Sequence, residues 1–351
     1  MLRIRIVPIA CFLSLVLLVV IGEKLFRLNS QALTMWGYFG HNPLVALLSG
    51  HPHGLRYLAY YPVFAFADAT GLNVHIVFSL VCCILLLMMT NISEGITFRT
   101  WNISRKSYLN NAFAIFIFLL SLLMNGRLIF AFCGYLLLIL VGVRWLKSGR
   151  WTLGSVALLI FGCLLASVSS GTLLIALAMV GGILFVTLLR QPYALLSSPW
   201  LPISVFMTIA IFAGPTIIGI NKNLDYYGGG GMAVVHMLEH GAGGIVLDTV
   251  GVGFDEVDQS ANLLDGYLGG IIRFWWLGVI SAGVVAYSKG WRPIKMIREA
   301  TPQENVVQLA IVFTMTGGLF AYSVLSMSIL PFLLLAIGYA SRFVEQRRRT
   351  V

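Results

Sequence analysis

Three arginines stand where apolar stretches begin or turn: Arg56, Arg127 and Arg273. A charge at membrane depth is costly and is kept where it serves a purpose, so each is a site candidate. Arg127 lies at the tip of a tight Asn125-Gly126-Arg127 hairpin between two apolar runs. Arg273 is flanked by Phe274, Trp275 and Trp276, and Arg56 opens the segment LRYLAYYPVFAFADATGL. A guanidinium is always charged and grips phosphate oxygens with a two-pronged fork. Three on one face would suit a lipid-linked diphosphate, held first and then stabilised as a leaving group. The plainer reading for each is a side chain that snorkels toward headgroups.

Other chemistry concentrates in residues 221–265, which begin NKNLDYYGGGGM and end GFDEVDQSANLLDGY. Seven carboxylates there face Lys222 alone, and Gly228 to Gly231 supply a hinge for closing over a substrate. A solvated acidic loop is the bland alternative. His236, Glu239 and His240 spell H-x-x-E-H, a zinc-protease pattern. Two histidines at i and i+4 do share a helix face, but no soluble protease domain accompanies them, and no metal is expected. Ser169-Ser170-Gly171 offers hydroxyls at a turn, yet Val168 stands where an intramembrane serine protease would need glycine, and no span offers a convincing partner histidine, His75 opening a span on its own. Asp255, Glu256 and Asp258 lack the spacing of a calcium loop.

The elements that must position these groups follow from composition. Of 351 residues, 59% are hydrophobic and 10% charged, too few charges to coat a soluble domain. The chain reads as an all-α polytopic membrane protein. Spans of about 20 residues are expected at 6–26, 73–91, 110–125, 128–146, 153–169, 171–189, 201–220, 266–287, 305–326 and 328–342, about ten transmembrane helices in one integral membrane domain. With both termini cytoplasmic, seventeen Lys and Arg fall inside and six outside, the positive-inside pattern. That placement accounts for the net charge of +10 without any nucleic acid. Two external stretches result: 27–72, with a re-entrant or interfacial segment at 55–72 anchored by Tyr57, Tyr60 and Tyr61, and the large periplasmic loop 221–265 before the last three helices. The five cysteines lie within apolar runs and read as small packing groups. The span interiors look nearly free of ionisable residues, which argues against a transport path. The short basic inner loops contain no glycine-rich phosphate cradle, so no nucleotide is expected to take part.

NGRLIFAFCGYLLL at 125–138 resembles the arginine hairpin and following helix of EpsG/Wzy-type polysaccharide polymerases. ASVSSGTLLIALAMVGGILF (166–185) resembles their Ser/Gly-rich helix start. DQSANLLDGYLGGIIRFWWLGVISAGVVAY (258–287) is similar to their pattern of Asp and Tyr before a glycine-rich last third. The likeness covers about 60 residues in motif. Leu128 after the arginine, and Ser169-Ser170 where that group often has histidine, depart from its pattern. The resemblance implies glycosyl transfer at the outer face of a bacterial inner membrane, without cofactor. A glycan on undecaprenyl diphosphate would pass to a new lipid-linked repeat, with a chain-length regulator protein as a partner. Arg127, Arg273 and Arg56 would bind the diphosphate in place of a metal. Asp265, Asp258, His236 or His240 would be the base, Asp265 favoured. Tyr267, Asn125, Ser170 and Tyr226 would contact sugar. An O-antigen ligase, or a flippase for the same lipid-linked unit, are the competing expectations.

Overall fold

Backbone groups in an apolar chain must be satisfied within their own segment, and the helix does this without a partner. The computed structural model describes residues 6–238 apart from 23, 24, 27, 29, 50, 52, 105, 106, 123 and 227, residues 299–350 apart from 319 and 321, and positions 281, 284 and 288. The described residues form helices and no strand. In chain order these are α1 (Ile6–Gly22), α2 (Ser30–Tyr38), α3 (Pro43–Leu48), α4 (Gly54–Thr70), α5 (Val74–Trp101), α6 (Tyr108–Ser121), α7 (Gly126–Ser148), α8 (Leu153–Ala166), α9 (Ser170–Arg190), α10 (Pro192–Ser197), α11 (Trp200–Tyr226) and α12 (Gly230–Leu238). After the undescribed stretch come α13 (Pro302–Gly318), α14 (Tyr322–Ser326) and α15 (Ile329–Thr350).

Helices stand at each expected stretch except 266–287, which falls almost wholly outside the described residues. Among the described residues, five are long and apolar enough to cross a membrane alone: Val74–Trp101, Gly126–Ser148, Ser170–Arg190, Trp200–Lys222 and Val324–Val344. α1, α6 and α8 are apolar but shorter. This is a membrane protein by the length and character of its helices.

α7 is the hub, packed against α5, α8, α9 and α13. Its Trp145 donates to Thr187 Oγ1 on α9 at 3.0 Å, and its Tyr135 hydroxyl donates to Ala310 O on α13 at 2.9 Å. α7 and α8 cross at Gly134 and Gly162, where each backbone lies against the other's carbonyl oxygen. Small residues allow such close approach where lipid provides no hydrophobic drive. Cys82, Cys83, Cys133 and Cys163 are buried and all five cysteines are free.

Two expectations need correction. α5 runs well past residue 91, to a left-handed Asn102 cap (φ 56°), and at 28 residues is about 42 Å long. It therefore holds Glu94, 5% exposed, inside the helix and beyond the expected end of the span. The polar sequence there reads as loop, but its hydroxyls find helix carbonyls: Ser93 donates to Thr90 O, and Thr97 to Glu94 O. The second correction concerns the tyrosines of 55–72. The segment is one helix, α4, closed by Gly71 in the left-handed region (φ 68°) and packed on α3, α5 and α8. Tyr57 and Tyr60 are buried within the bundle instead of anchoring its rim, and only Tyr61 of the three is exposed.

Charged residues gather at two opposite ends of the helices. At one, Lys147 Nζ donates to Arg99 O (3.0 Å) and Arg190 Nε to Asn305 Oδ1 (2.9 Å). There Glu304, fully buried, pairs with Arg342 (2.6 Å) and accepts from Trp101 Nε1 and from Thr301 N (2.8 Å). Thr301 Oγ1 accepts from Glu304 N in return, a capping box that starts α13. Glu304→Ala takes the acceptor from Trp101 Nε1, Thr301 N and Arg342 and is expected to cost roughly 3 kcal/mol. A lowered thermal unfolding midpoint in detergent is the expected readout, and an unchanged midpoint would show the cluster dispensable.

Candidate anion site at the Arg56–Arg127 end

The opposite end is organised by an aromatic cluster. Tyr60 of α4 meets Phe130 of α7 edge-on at 5.1 Å and Phe78 of α5 edge-on at 5.7 Å, and the two phenylalanines stack at 5.7 Å. Gly126 opens α7 directly against the Phe78 ring, where a Cβ would collide. Arg56 precedes Tyr60 by four residues and Arg127 precedes Phe130 by three. Residues at those spacings share a helix face, so both arginines sit one turn beyond the same cluster. Both positive charges bear on the Tyr60 hydroxyl, and Arg127 bears on Arg56.

The two arginines are held differently. Arg56 is 7% exposed, and its Nε donates to Val168 O at 2.6 Å, tying α4 to the α8–α9 turn. That turn is built by hydroxyls. Ser169 caps α9 by accepting from Thr172 N, while Thr172 Oγ1 donates to Ala166 O and Ser169 O. Arg127 is half-buried and has neither hydrogen bond nor ion pair among the described residues. Asn125 caps α7 by accepting from Leu128 N (3.0 Å), which fixes the backbone next to Arg127.

Around this pair stand groups that the sequence reading did not single out. His51 and His53 lead into α4, and the His53 N–H donates to His51 Nδ1 at 3.2 Å. Their rings lie 5.7 Å apart. Burial, then the charges of Arg56, Lys222, His51 and Arg127, push the His53 imidazole down to about 3. Burial and the charges of Lys222 and Arg56 also lower His51. The Tyr57 hydroxyl is buried without a hydrogen-bond partner among the described residues. Lys222, exposed on α11, acts on the two imidazoles through its charge. The signal available in the sequence was H-P-H just before Arg56; Lys222 looked like the loop's one stray cation.

The structure therefore brings Arg56, Arg127 and Asn125 to one end, with Ser170 beginning α9 two residues beyond Val168. Tyr226 ends α11, and His236 lies in α12. Gly228, Gly229 and Gly230 all adopt left-handed φ (88°, 71° and 57°), the turn between α11 and α12 that only glycine makes without strain. Asp258, Asp265, Tyr267, Arg273, Glu239 and His240 lie outside the described residues.

Chemically, the end is rich in donors and cations. Among the described residues no carboxylate pairs with Arg56 or Arg127; the carboxylate on α4 itself, Asp68, faces His41 at 3.5 Å. A buried and a half-buried guanidinium beside a buried phenol without a partner among the described residues suit a multi-oxygen anion. Compared with family models, curated proteins and solved structures, the chain matches none.

Proposed function

We propose that this chain is a membrane glycosyltransferase that polymerises oligosaccharide repeats carried on undecaprenyl diphosphate, at the periplasmic face of a bacterial inner membrane. The observation that carries the reading is the pair of arginines, Arg56 buried and Arg127 half-buried, at the end of an apolar helix bundle without a carboxylate partner among the described residues. A lipid-borne diphosphate meets both conditions: its tail follows the helices and its oxygens reach the forks. Sugar transfer comes from the resemblance of 125–138, 166–185 and 258–287 to the polymerases. In this reading Arg56 and Arg127, joined by Arg273, hold the diphosphate and stabilise it as the glycosidic oxygen departs, so no metal or cofactor is required. Asp265, Asp258, His236 and His240 remain the base candidates of the 221–265 region. Tyr267, Asn125, Ser170 and Tyr226 are the candidate sugar contacts.

The test is a gel of surface polysaccharide from a host lacking the gene. A single-repeat glycan with no ladder above it is the expected result. Loss of all surface glycan, with repeats accumulating on lipid, would move the assignment to ligation or flipping. An unchanged ladder would overturn the glycan reading.

A further inference from the structure

A short helix that follows the end of a membrane span can turn an uncovered apolar side to protein or to lipid. α12 presents that choice. The apolar, membrane-crossing stretch of α11 is Trp200–Lys222, and the helix continues only to Tyr226. That is about 6 Å past Lys222 at the helical rise. There the chain closes on itself. Gly229 N donates to Leu224 O (2.9 Å) and Gly228 N to Asp225 O (3.1 Å), the paired bonds of a helix ended by a left-handed residue. Gly230 then opens α12, and Ala233 N donates back to Gly229 O (3.2 Å). The glycines form a hydrogen-bonded corner between two helices, which keeps the start of α12 close to the level of Lys222.

The helix that starts there is two-sided. Ala233 is fully buried, and α12 packs against α11. At about 100° per residue, Val234, Val235 and Met232 follow one another around the side away from Ala233, an arc of roughly 160°. All three are exposed, Met232 by 62%. Just before the corner Asn221, Lys222 and Asp225 are exposed as well. Polar side chains and a continuous apolar arc thus stand at the same level, next to the end of a span.

We propose that α12 is a membrane-surface helix, lying in the lipid–water boundary at the C-terminal end of α11 with Met232, Val234 and Val235 in the acyl region. The partner is the bilayer itself. The corner fixes the height, the exposed polar residues before it suit the headgroup layer, and the apolar arc faces away from Ala233. A helix of this kind lies in the membrane plane with its apolar side about 5–10 Å into the headgroup–acyl boundary. The inference goes beyond the glycosyltransferase reading and does not depend on it. The opening of the 221–265 region becomes a lipid contact, not the solvated loop that its charges suggest.

The experiment uses the purified full chain in vesicles of phosphatidylethanolamine and phosphatidylglycerol. Nitroxide labels are attached to Met232→Cys, Val234→Cys and Val235→Cys, with Asp225→Cys as the reference outside the apolar arc. The native chain, carried through the same labelling, gives the background of its own five free cysteines. The three α12 labels should collide with oxygen in preference to a water-soluble nickel chelate, and the Asp225→Cys label should show the reverse. Nickel access at all three equal to that at the reference would put α12 in water and overturn the proposal. Access to neither collider would mean that protein covers the arc, another part of this chain or a second copy, and would overturn it equally. A measurement on the unsubstituted chain guards against labels that disturb the fold. A carbene-generating probe dissolved in the bilayer should mark the peptide that holds Met232 to Val235. An unmarked peptide there, with α11 marked, would overturn the proposal.

Discussion

Arg127→Ala is expected to lower repeat-unit transfer by about 10²–10³-fold, ~3–4 kcal/mol of transition-state stabilisation, without weakening the fold. The second half of that statement follows from the geometry. Arg127 has no hydrogen bond or ion pair among the described residues, and a desolvated charge without a partner is a cost to the folded state. Its thermal midpoint should hold or rise slightly. Arg56→Ala should differ: it removes the bond to Val168 O and strands a buried carbonyl, so activity falls and stability drops by about 1–3 kcal/mol. Arg127→Lys keeps the charge and loses the fork, and partial activity is expected. Transfer rates in membranes and unfolding midpoints in detergent separate these outcomes. Full activity in Arg127→Ala would remove the central site claim.

That contrast also shows what the sequence makes legible. The arginines declare themselves, because a charge beside a long apolar run has few innocent explanations. Helix positions follow from hydropathy, since each apolar run must satisfy its own backbone. The ends of helices are harder. α5 continues through Ser93, Glu94 and Thr97 because their neighbours satisfy them, which no count of apolar residues reveals. Tyr57 and Tyr60 look like rim residues by type, yet packing against Phe78, Phe130 and His51 takes them inward. The meeting of Arg56 and Arg127 beside one aromatic cluster is not legible in the sequence, because the contact between α4 and α7 is a property of tertiary packing, not of spacing.

Gly134→Ala is the second large effect. Its Cβ would fall against Gly162 O, with Ala166 N at 2.9 Å and Leu165 Cβ at 3.0 Å. Two of those are backbone atoms, which no rotamer change can clear, so α8 must move away from α7. A destabilisation of about 1–3 kcal/mol is expected. The displacement would also draw Val168 O from Arg56 Nε, and transfer should fall about tenfold, the loss of roughly one hydrogen bond's worth of positioning. Gly181→Ala is the counterpart: nothing lies within 4 Å of its Cβ, so neither stability nor transfer should suffer. Thermal unfolding of the two variants side by side decides the matter. Equal midpoints would mean that the α7–α8 crossing tolerates a methyl group.

The bond from Arg56 to Val168 spans 112 residues of chain. During synthesis at about 5–20 residues per second, roughly ten seconds separate the emergence of the guanidinium from that of its acceptor. Throughout that interval α4 carries a cation with nowhere to dock, so its seating must come late, after the α8–α9 turn has been delivered. The helix that carries Arg56 thus cannot take its final seat until the α8–α9 turn is made, and a chain stopped before residue 168 would lack the acceptor that ties α4 in place.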